Sequence, residues 1–375
     1  MADFVIVGGG VYGCGVAWEL AKRGAEVLLL EAREIASGAS GGLGKRGVRA
    51  NGRDLREMPL MHRAYMLWPM LHEAIGADTG YDRQGHLLLI ERDKDLVTAE
   101  AKVWVQNQQG IPSELIGQAQ LREMEPFVSE AVQAAIFCPL DGIADHTATT
   151  RGLAAAAQRL GAVVRENTAV SSLEKSGGRV TAVITTNEER IPIGKTLLLL
   201  CNSFVPTLTQ AEFDVTLPVW AMLPQVMFTE KVEPMPLNHL IGHAHRTLAM
   251  KSHPTGQIMI SGGWLGKWNE VTGRGETQPD QMAGNFAEAV ATYPILASSS
   301  VAEADASRLE MISFDGIPIM DWVPGVDNVV MGVGWSGHGW AIAPAVTELL
   351  ATSVLTGEWE GDLRPFQYGR FLASR

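Results

Sequence analysis

The stretch "DFVIVGGGVYGCGVAWELAKRGAEVLLLEA" at the start of the chain constrains its fold more than any other. Phe4 to Val7 is a continuous apolar run, as expected of a strand covered on both faces. Gly8, Gly10 and Gly13 match G-x-G-x-x-G, and Val16, Ala17, Leu20 and Ala21 then recur at helical spacing until Gly24 ends the helix. Val27 to Leu30 forms the next strand, closed by Glu31. In such a unit the first glycine permits the tight turn. The second lets the backbone approach a pyrophosphate, and the third lets helix and strand pack closely. The helix amino end offers free N–H groups to that anion. Glu31 follows at the interval, about 20 residues, where a carboxylate accepts hydrogen bonds from a ribose. The glycine pattern alone is weak, but strand, helix, second strand and acid in this order point to a dinucleotide site.

The rest of the composition narrows the class. A chain of 375 residues suits one large domain or two intertwined ones. Charged residues are 19% and apolar residues 46%, the balance of a compact globular enzyme. A formal net charge of -12, with no Lys/Arg run, argues against a nucleic-acid or anionic-membrane partner. Cys14, Cys138 and Cys201 are scattered without metal-ligand spacing, so they read as buried apolar residues in a reduced, cytoplasmic protein with no metal. The chain opens directly on a strand, leaving no room for a signal peptide, and apolar runs such as "TLLLLC" are too short for a membrane span.

Downstream, "SGASGGLGKRGVR" (37–49) combines small residues, which admit close backbone contact with a large flat ligand, with Lys45, Arg46 and Arg49. Residues 55–76, 93–109 and 279–297 read as helices and 86–91 as a strand. The segment 161–201 alternates in twos around an "SGG" turn, as strands and hairpins do. "LPQVMFTE" and "HRTLAMKSHPTGQIMISGG" form a second antiparallel stretch, with Gly256 at the turn. Near the end, the strand "DNVVMGVGW" feeds a second glycine-rich loop and a helix to about Leu355.

These motifs resemble the FAD-dependent D-amino-acid oxidase superfamily, most of all its branch of sarcosine oxidases, glycine oxidase, and proline or opine dehydrogenase β subunits. The match is carried by "VIVGGGVYGCGVAWELAKRGAEVLLLE", "SGASGG", "REMPLMHRAYMLW", "DGIPIMDWVPGVDNVV" and "GVGWSGHGWAIAP". The resemblance implies an α/β fold: a Rossmann-like FAD-binding domain (1–82, 143–212 and 305–375) interleaved with a smaller α+β substrate domain on an antiparallel sheet (83–142 and 213–304). Implied cofactor contacts are Gly8, Gly10, Gly13, Glu31, Arg33, Ser37, Ala39, Ser40, Gly41, Arg46 and Val170, with Gly332, Gly334, Gly337, His338 and Gly339 from the far loop. In the family that loop wraps the pyrimidine end of the flavin. The helix from Ala341 to Leu350 would aim its amino end there, worth about 0.3–2 kcal/mol for a nearby anion.

Flavin-dependent amine oxidation asks little of side chains beyond orienting the substrate C–H bond and excluding water. The substrate carboxylate calls for a cation, best an arginine with its two-pronged fork. Arg49 resembles the carboxylate-binding arginine of monomeric sarcosine oxidases. Arg308 lies near where glycine-oxidase relatives hold theirs, although its spacing to Asp315 is longer; for both, a structural ion pair is the alternative. His338 either orders its loop or serves acid–base chemistry. Departures from the family are clear. Ala341 replaces a carboxylate-binding lysine, "ASRLEMIS" lacks the cysteine that attaches FAD, and Cys201-Asn202-Ser203 replaces Ala-Gly-Ala on the adenine side. FAD is therefore expected to be non-covalent.

"DGIADHTATTRGL" resembles the part of heterotetrameric sarcosine oxidase β subunits where a histidine carries FMN, which implies His146 as an FMN site at a subunit interface. The plainer reading is an exposed histidine capping the following helix. The expected activity is oxidation of an amino-acid C–N bond, in a secondary amine of sarcosine, proline or opine type, in a subunit of a hetero-oligomeric enzyme. The alternatives are a 2-hydroxy-acid dehydrogenase on the same fold and a non-catalytic electron-transfer flavoprotein. Trp220, Met222, Gln225, His245 and Met250 are candidate pocket residues.

Overall fold

The computed structural model describes residues 1–42 and 44–372. A six-stranded sheet runs in the order Ile319–Trp322, Val329–Val333, Thr196–Leu199, Phe4–Val7, Val27–Leu30, Val163–Arg165. Every pairing in it is parallel except the first. Alternation sorts its side chains. Phe4, Ile6, Leu198 and Leu200 face the helices Val11–Lys22, Met58–Ile75, His146–Arg159 and Ala343–Thr356. Val5, Val7, Leu197 and Leu199 face the opposite way, onto a three-stranded antiparallel sheet (Val170–Ser176, Arg179–Thr185, Arg190–Pro192) and the helix Val205–Phe213. Covered on both faces, the central strand is apolar throughout. The stretch Gly339–Thr356 is long and apolar enough to cross a bilayer, but it is mostly buried, and its helix packs against Val11–Lys22 and Met58–Ile75.

A second sheet of eight strands runs Val301–Asp305, Val226–Thr229, Ile258–Ser261, Ala249–Ser252, Leu240–His243, His86–Ile90, Ala134–Cys138, Glu114–Gly117. The expectation of an antiparallel sheet needs one correction: Leu240–His243 pairs parallel to His86–Ile90. These strands lie far apart in the chain, so no hairpin dictates their direction. Leu87, Leu89, Met250, Ile258 and Ile260 bury one face against Ala289 and Tyr293 beside the helix Pro279–Thr292. On the other face Ile90, Ala134 and Ile136 pack against the helix Asp93–Gln108, while Leu88, Gly242, Ala249 and Lys251 line a cavity shared with the first sheet.

A short antiparallel ribbon, Lys45–Val48 with Gly142–Asp145, lies beside both sheets. At the first turn, a Cβ on Gly13 would sit 1.8 Å from the Gly8 carbonyl oxygen, so helix and turn touch backbone to backbone. Gly13→Ala should cost at least the about 1–3 kcal/mol typical of overpacking and abolish uptake of the dinucleotide, read as a lowered melting temperature and a colourless purified chain.

Candidate active site

The carboxyl ends of the parallel strands open on a cavity of ≈ 1660 Å³, closed opposite by the free face of the second sheet. Strand ends are where open α/β sheets bind ligands. The volume exceeds the roughly 300–1,000 Å³ of a pocket for one drug-sized molecule. From the ends of the first sheet come the Gly8–Gly10 turn, Glu31, Arg33 and the Cys201–Phe204 segment, and the three-stranded sheet adds Val170. The loop after Glu31 adds Ala39, Ser40 and Gly41, the ribbon adds Arg46 and Arg49, and the far loop adds Gly337, His338 and Gly339.

The chemistry of this wall fits FAD. Gly10 caps the first helix with no side chain bonded to the freed N–H groups, and a Cβ there would meet nothing within 4 Å, so that helix start is open to an anion. Among the described residues two buried polar atoms on this wall lack a protein partner, Arg46 Nη1 and Asn202 Oδ1. Such groups are costly unless something polar meets them. Glu31 stands at the wall while its carboxylate accepts from the Gly9 N–H at 2.6 Å and the Arg33 N–H at 2.9 Å. It thus braces the turn from the cavity edge.

Other expected contacts lie elsewhere. Gly13, Gly332 and Gly334 do not line the cavity. Gly332 packs on Leu200 and Trp335, and Gly334 makes a left-handed turn beside Ser313, so both are glycines of close packing. Ser37 is also off the wall; its carbonyl accepts from Arg308 Nε at 2.6 Å. Arg308 does line the cavity, but that bond and another to the Ser307 carbonyl make it a brace of the small-residue loop. Of the pocket candidates, Met222 and Gln225 line the cavity. Trp220, 51% exposed on the strand Val219–Met222, lies outside it, and Met250 is wholly buried in the core of the second sheet. His245 sits off the wall among Glu91 and Asp95. His146 is buried rather than exposed, and Asp145 caps the helix instead, accepting from the Ala148 N–H at 2.9 Å. Burial first, then Arg46, pushes the His146 imidazole down to about 4.

Three features of the site were not anticipated. Arg53 Nη1 meets Glu57 Oε1 at 3.2 Å and Arg53 Nη2 donates to the His338 carbonyl at 2.9 Å, while His338 Nδ1 lies 3.4 Å from Glu57 Oε2. Burial alone would raise the Glu57 carboxyl, yet Arg53 and His338 hold it below its usual range. The i,i+4 spacing in "RDLRE" was the available signal. Second, Lys251 reaches the cavity from the strand Ala249–Ser252, where strict alternation puts Met250 on the other face. Third, Glu310 is buried against Ser40 Oγ at 2.6 Å and Asn202 Nδ2 at 3.2 Å, and burial raises its carboxyl.

Glu91, His243 and His245 also gather metal-ligand atoms. However, Arg246 already holds both Glu91 oxygens, at 3.0 and 2.7 Å. His243 Nδ1 faces the N–H groups of His245 and Arg246 at 3.3 Å, which leaves the proton on Nε2. This cluster is an ion-pair network.

A glycine-turned parallel sheet whose strand ends open on a large cavity with cations in its wall is the architecture of a dinucleotide-binding protein. The model of the family described as DAO, FAD dependent oxidoreductase, matches residues 3–353, and the chain belongs to that family. It is an FAD-dependent oxidoreductase. It is similar to a sarcosine oxidase subunit beta of Arthrobacter sp, 26% identical over 98% of this chain and 91% of that one. In fold it is similar to an L-proline dehydrogenase from P.horikoshii, with a TM-score of 0.89 at 24% identity over 99% of this chain and 97% of that one. The glycine oxidase from Geobacillus kaustophilus gives a TM-score of 0.87 at 21% identity, covering 99% of each chain.

Removing Arg53 strands a buried carboxylate. Arg53→Met should destabilise the protein by about 3–5 kcal/mol. Because the folded Glu57 pKa is lowered, its contribution is present above the unfolded carboxyl pKa and is lost as pH falls through the folded value. Glu57→Gln should therefore flatten the acid limb of a melting-temperature profile; an unchanged limb counts against this role.

Proposed function

We propose that the protein oxidises the carbon–nitrogen bond of an amino acid, a secondary amine of sarcosine, proline or opine type. The reading is carried by Arg49. It lines the cavity beside Arg53 and His338, and its Nη1 donates to the Asn51 carbonyl at 2.8 Å. Among the described residues its other N–H groups have no protein acceptor, so one edge of the guanidinium is available to a carboxylate. Burial first and Arg53 second push this guanidinium down, an arrangement that an anion relieves.

When bound, FAD accepts the hydride equivalent of the substrate C–H bond. The protein's part is placement. Arg49 fixes the carboxylate, and with it the direction of the adjacent carbon. Asp141 sets the course of the chain around Arg49, accepting from the Ala50 N–H at 2.6 Å, the Asn51 N–H at 3.2 Å and the Tyr65 hydroxyl at 2.5 Å. The second sheet covers the cavity and limits water.

Similarity over 98% of the chain to a protein named as a subunit supports a place in a hetero-oligomeric enzyme. Among the described residues the His146 Nε2 on the cavity wall has no partner, which supports this side chain as the FMN attachment point. An acid-precipitated chain from the native complex should then keep yellow fluorescence, and a colourless precipitate removes His146 from that role.

Two further outcomes test the main reading. Amino acids, and not 2-hydroxy acids, should bleach the flavin absorbance under anaerobic conditions. Arg49→Ala should raise KM by about 10–100-fold, the cost of a lost charge-assisted contact, while barely altering the flavin spectrum. An unchanged KM takes Arg49 out of the site.

A further inference from the structure

The free face of the second sheet is a cavity wall, and on it Lys251 has no counterpart. The residue is 5% exposed, and Ala249 and Lys251 line the cavity while Met250 between them enters the core. Among the described residues the Lys251 ammonium has no hydrogen-bond acceptor and no carboxylate at ion-pair distance. The groups acting on it are burial and the guanidiniums of Arg46 and Arg49, which together push it down to about 7.

Of the acids around the cavity, Asp305 accepts from the Ser307 N–H at 3.1 Å and Asp145 caps its helix. Asp141 is held by Ala50, Asn51 and Tyr65, and Glu310 by Ser40 and Asn202 on the side of the flavin loops. Arg46 is likewise committed, its Nη2 donating to the carbonyls of Ser40 and Gly42. Of the other cations on the cavity wall, Arg33, Lys102 and Arg274 are exposed, and Arg53, Arg246 and Arg308 are bound to protein groups. Among the described residues this leaves the open edge of Arg49 and the Lys251 ammonium for a ligand inside the cavity. Burial beside two guanidiniums disfavours the ammonium form, and an anion that meets it restores the charge.

We infer that the substrate is a secondary amine flanked by two carboxylates, an N-(carboxyalkyl) amino acid, with one carboxylate on Arg49 and the second on Lys251. This rests on the amine reading above and narrows it. The planar fork of Arg49 suits the carboxylate whose orientation matters for chemistry. Lys251 is a point charge on a flexible stem, suited to a second carboxylate that only has to be reached. Lys251 is therefore a residue of specificity: a monocarboxylic amine leaves it unpaired, and a site built to bind a group rejects the analogue that lacks it.

Sarcosine and iminodiacetate differ by one carboxylate on the N-methyl carbon, and (methylthio)acetate and thiodiacetate repeat that difference with sulfur in place of the amine. With the FAD-loaded enzyme, kcat/KM for the two amines comes from anaerobic bleaching. Kd for the two thioethers comes from perturbation of the flavin absorbance. The dicarboxylate of each pair should be favoured by about tenfold or more, the worth of one charge-assisted contact. Lys251→Met should erase that preference and Lys251→Arg should retain it. Iminodiacetate handled no better than sarcosine, or a preference that survives in Lys251→Met, overturns the proposal and leaves the amine reading standing. Bleaching by neither of these amines nor by proline overturns both. The wild-type comparison decides the matter even if Lys251→Met fails to fold.

Discussion

The site depends on how a loop of flexible residues is held still. The segment from Gly332 to Gly339 contains four glycines, and glycine loses more conformational freedom on ordering than any other residue. Its path is set by donors from three separate elements. The Tyr12 hydroxyl donates to the Gly339 carbonyl at 2.6 Å, Arg53 to the His338 carbonyl at 2.9 Å, and Trp68 Nε1 to the Ala341 carbonyl at 2.8 Å. The Tyr12 ring also stacks on Trp335 with centroids 3.4 Å apart. Tyr12 stands in the first turn of the helix that begins at the other glycine turn, so the two loops are positioned by one side chain. The cofactor therefore meets one preorganised surface built from opposite ends of the chain.

Charge is distributed to the same end. The chain is strongly acidic overall, at -12, yet the cavity wall carries Arg46, Arg49, Arg53 and Lys251 close together. Only Arg53 among them has a buried carboxylate of its own, in Glu57. Burial drives the Arg46 guanidinium down to about 10 despite the nearby acids Asp305 and Asp145. Such a cluster of cations is balanced by anionic ligands, and its field favours their approach. The acidic exterior keeps non-specific polyanions away from it.

The parts of this design that follow local rules were legible in the sequence. Phe4–Val7, its glycine turn and the helix after it obey periodicities of two and 3.6 that short windows reveal. The far loop stood out through glycine density and resemblance. What escaped depends on long-range geometry. Leu240–His243 is four residues without alternation, made a strand by its parallel partner His86–Ile90 and its antiparallel partner Ala249–Ser252. On the strand Ala249–Ser252 the cavity residue is Lys251 and not Met250: its pairing with Ile258–Ser261 is local, but which face becomes core is decided by packing with Ala289 and Tyr293. Gly332 and Gly334 look like ligand-contact glycines, but their missing Cβ atoms make room for Leu200, Trp335 and Ser313. Arg308 carries the right chemistry for a carboxylate, and only the fold shows its Nε bound to Ser37.

Cofactor and substrate are thus held by different kinds of contact. The dinucleotide side is formed by backbone turns whose shape is fixed by packing and by donors behind them, so few side-chain identities there are free to change. The rest of the cavity wall is built from single positions along regular strands and beside one ribbon, among them Arg49 just past Lys45–Val48, Met222 at the end of Val219–Met222 and Lys251 within Ala249–Ser252, and these are the positions proposed for the substrate. A side chain exchanged at such a position leaves the strand's ladder intact, because the backbone makes the ladder. The fold can therefore keep one redox cofactor and change the substrate by replacing a few cavity-facing residues. That is also why the family match by itself identifies the cofactor and not the amine.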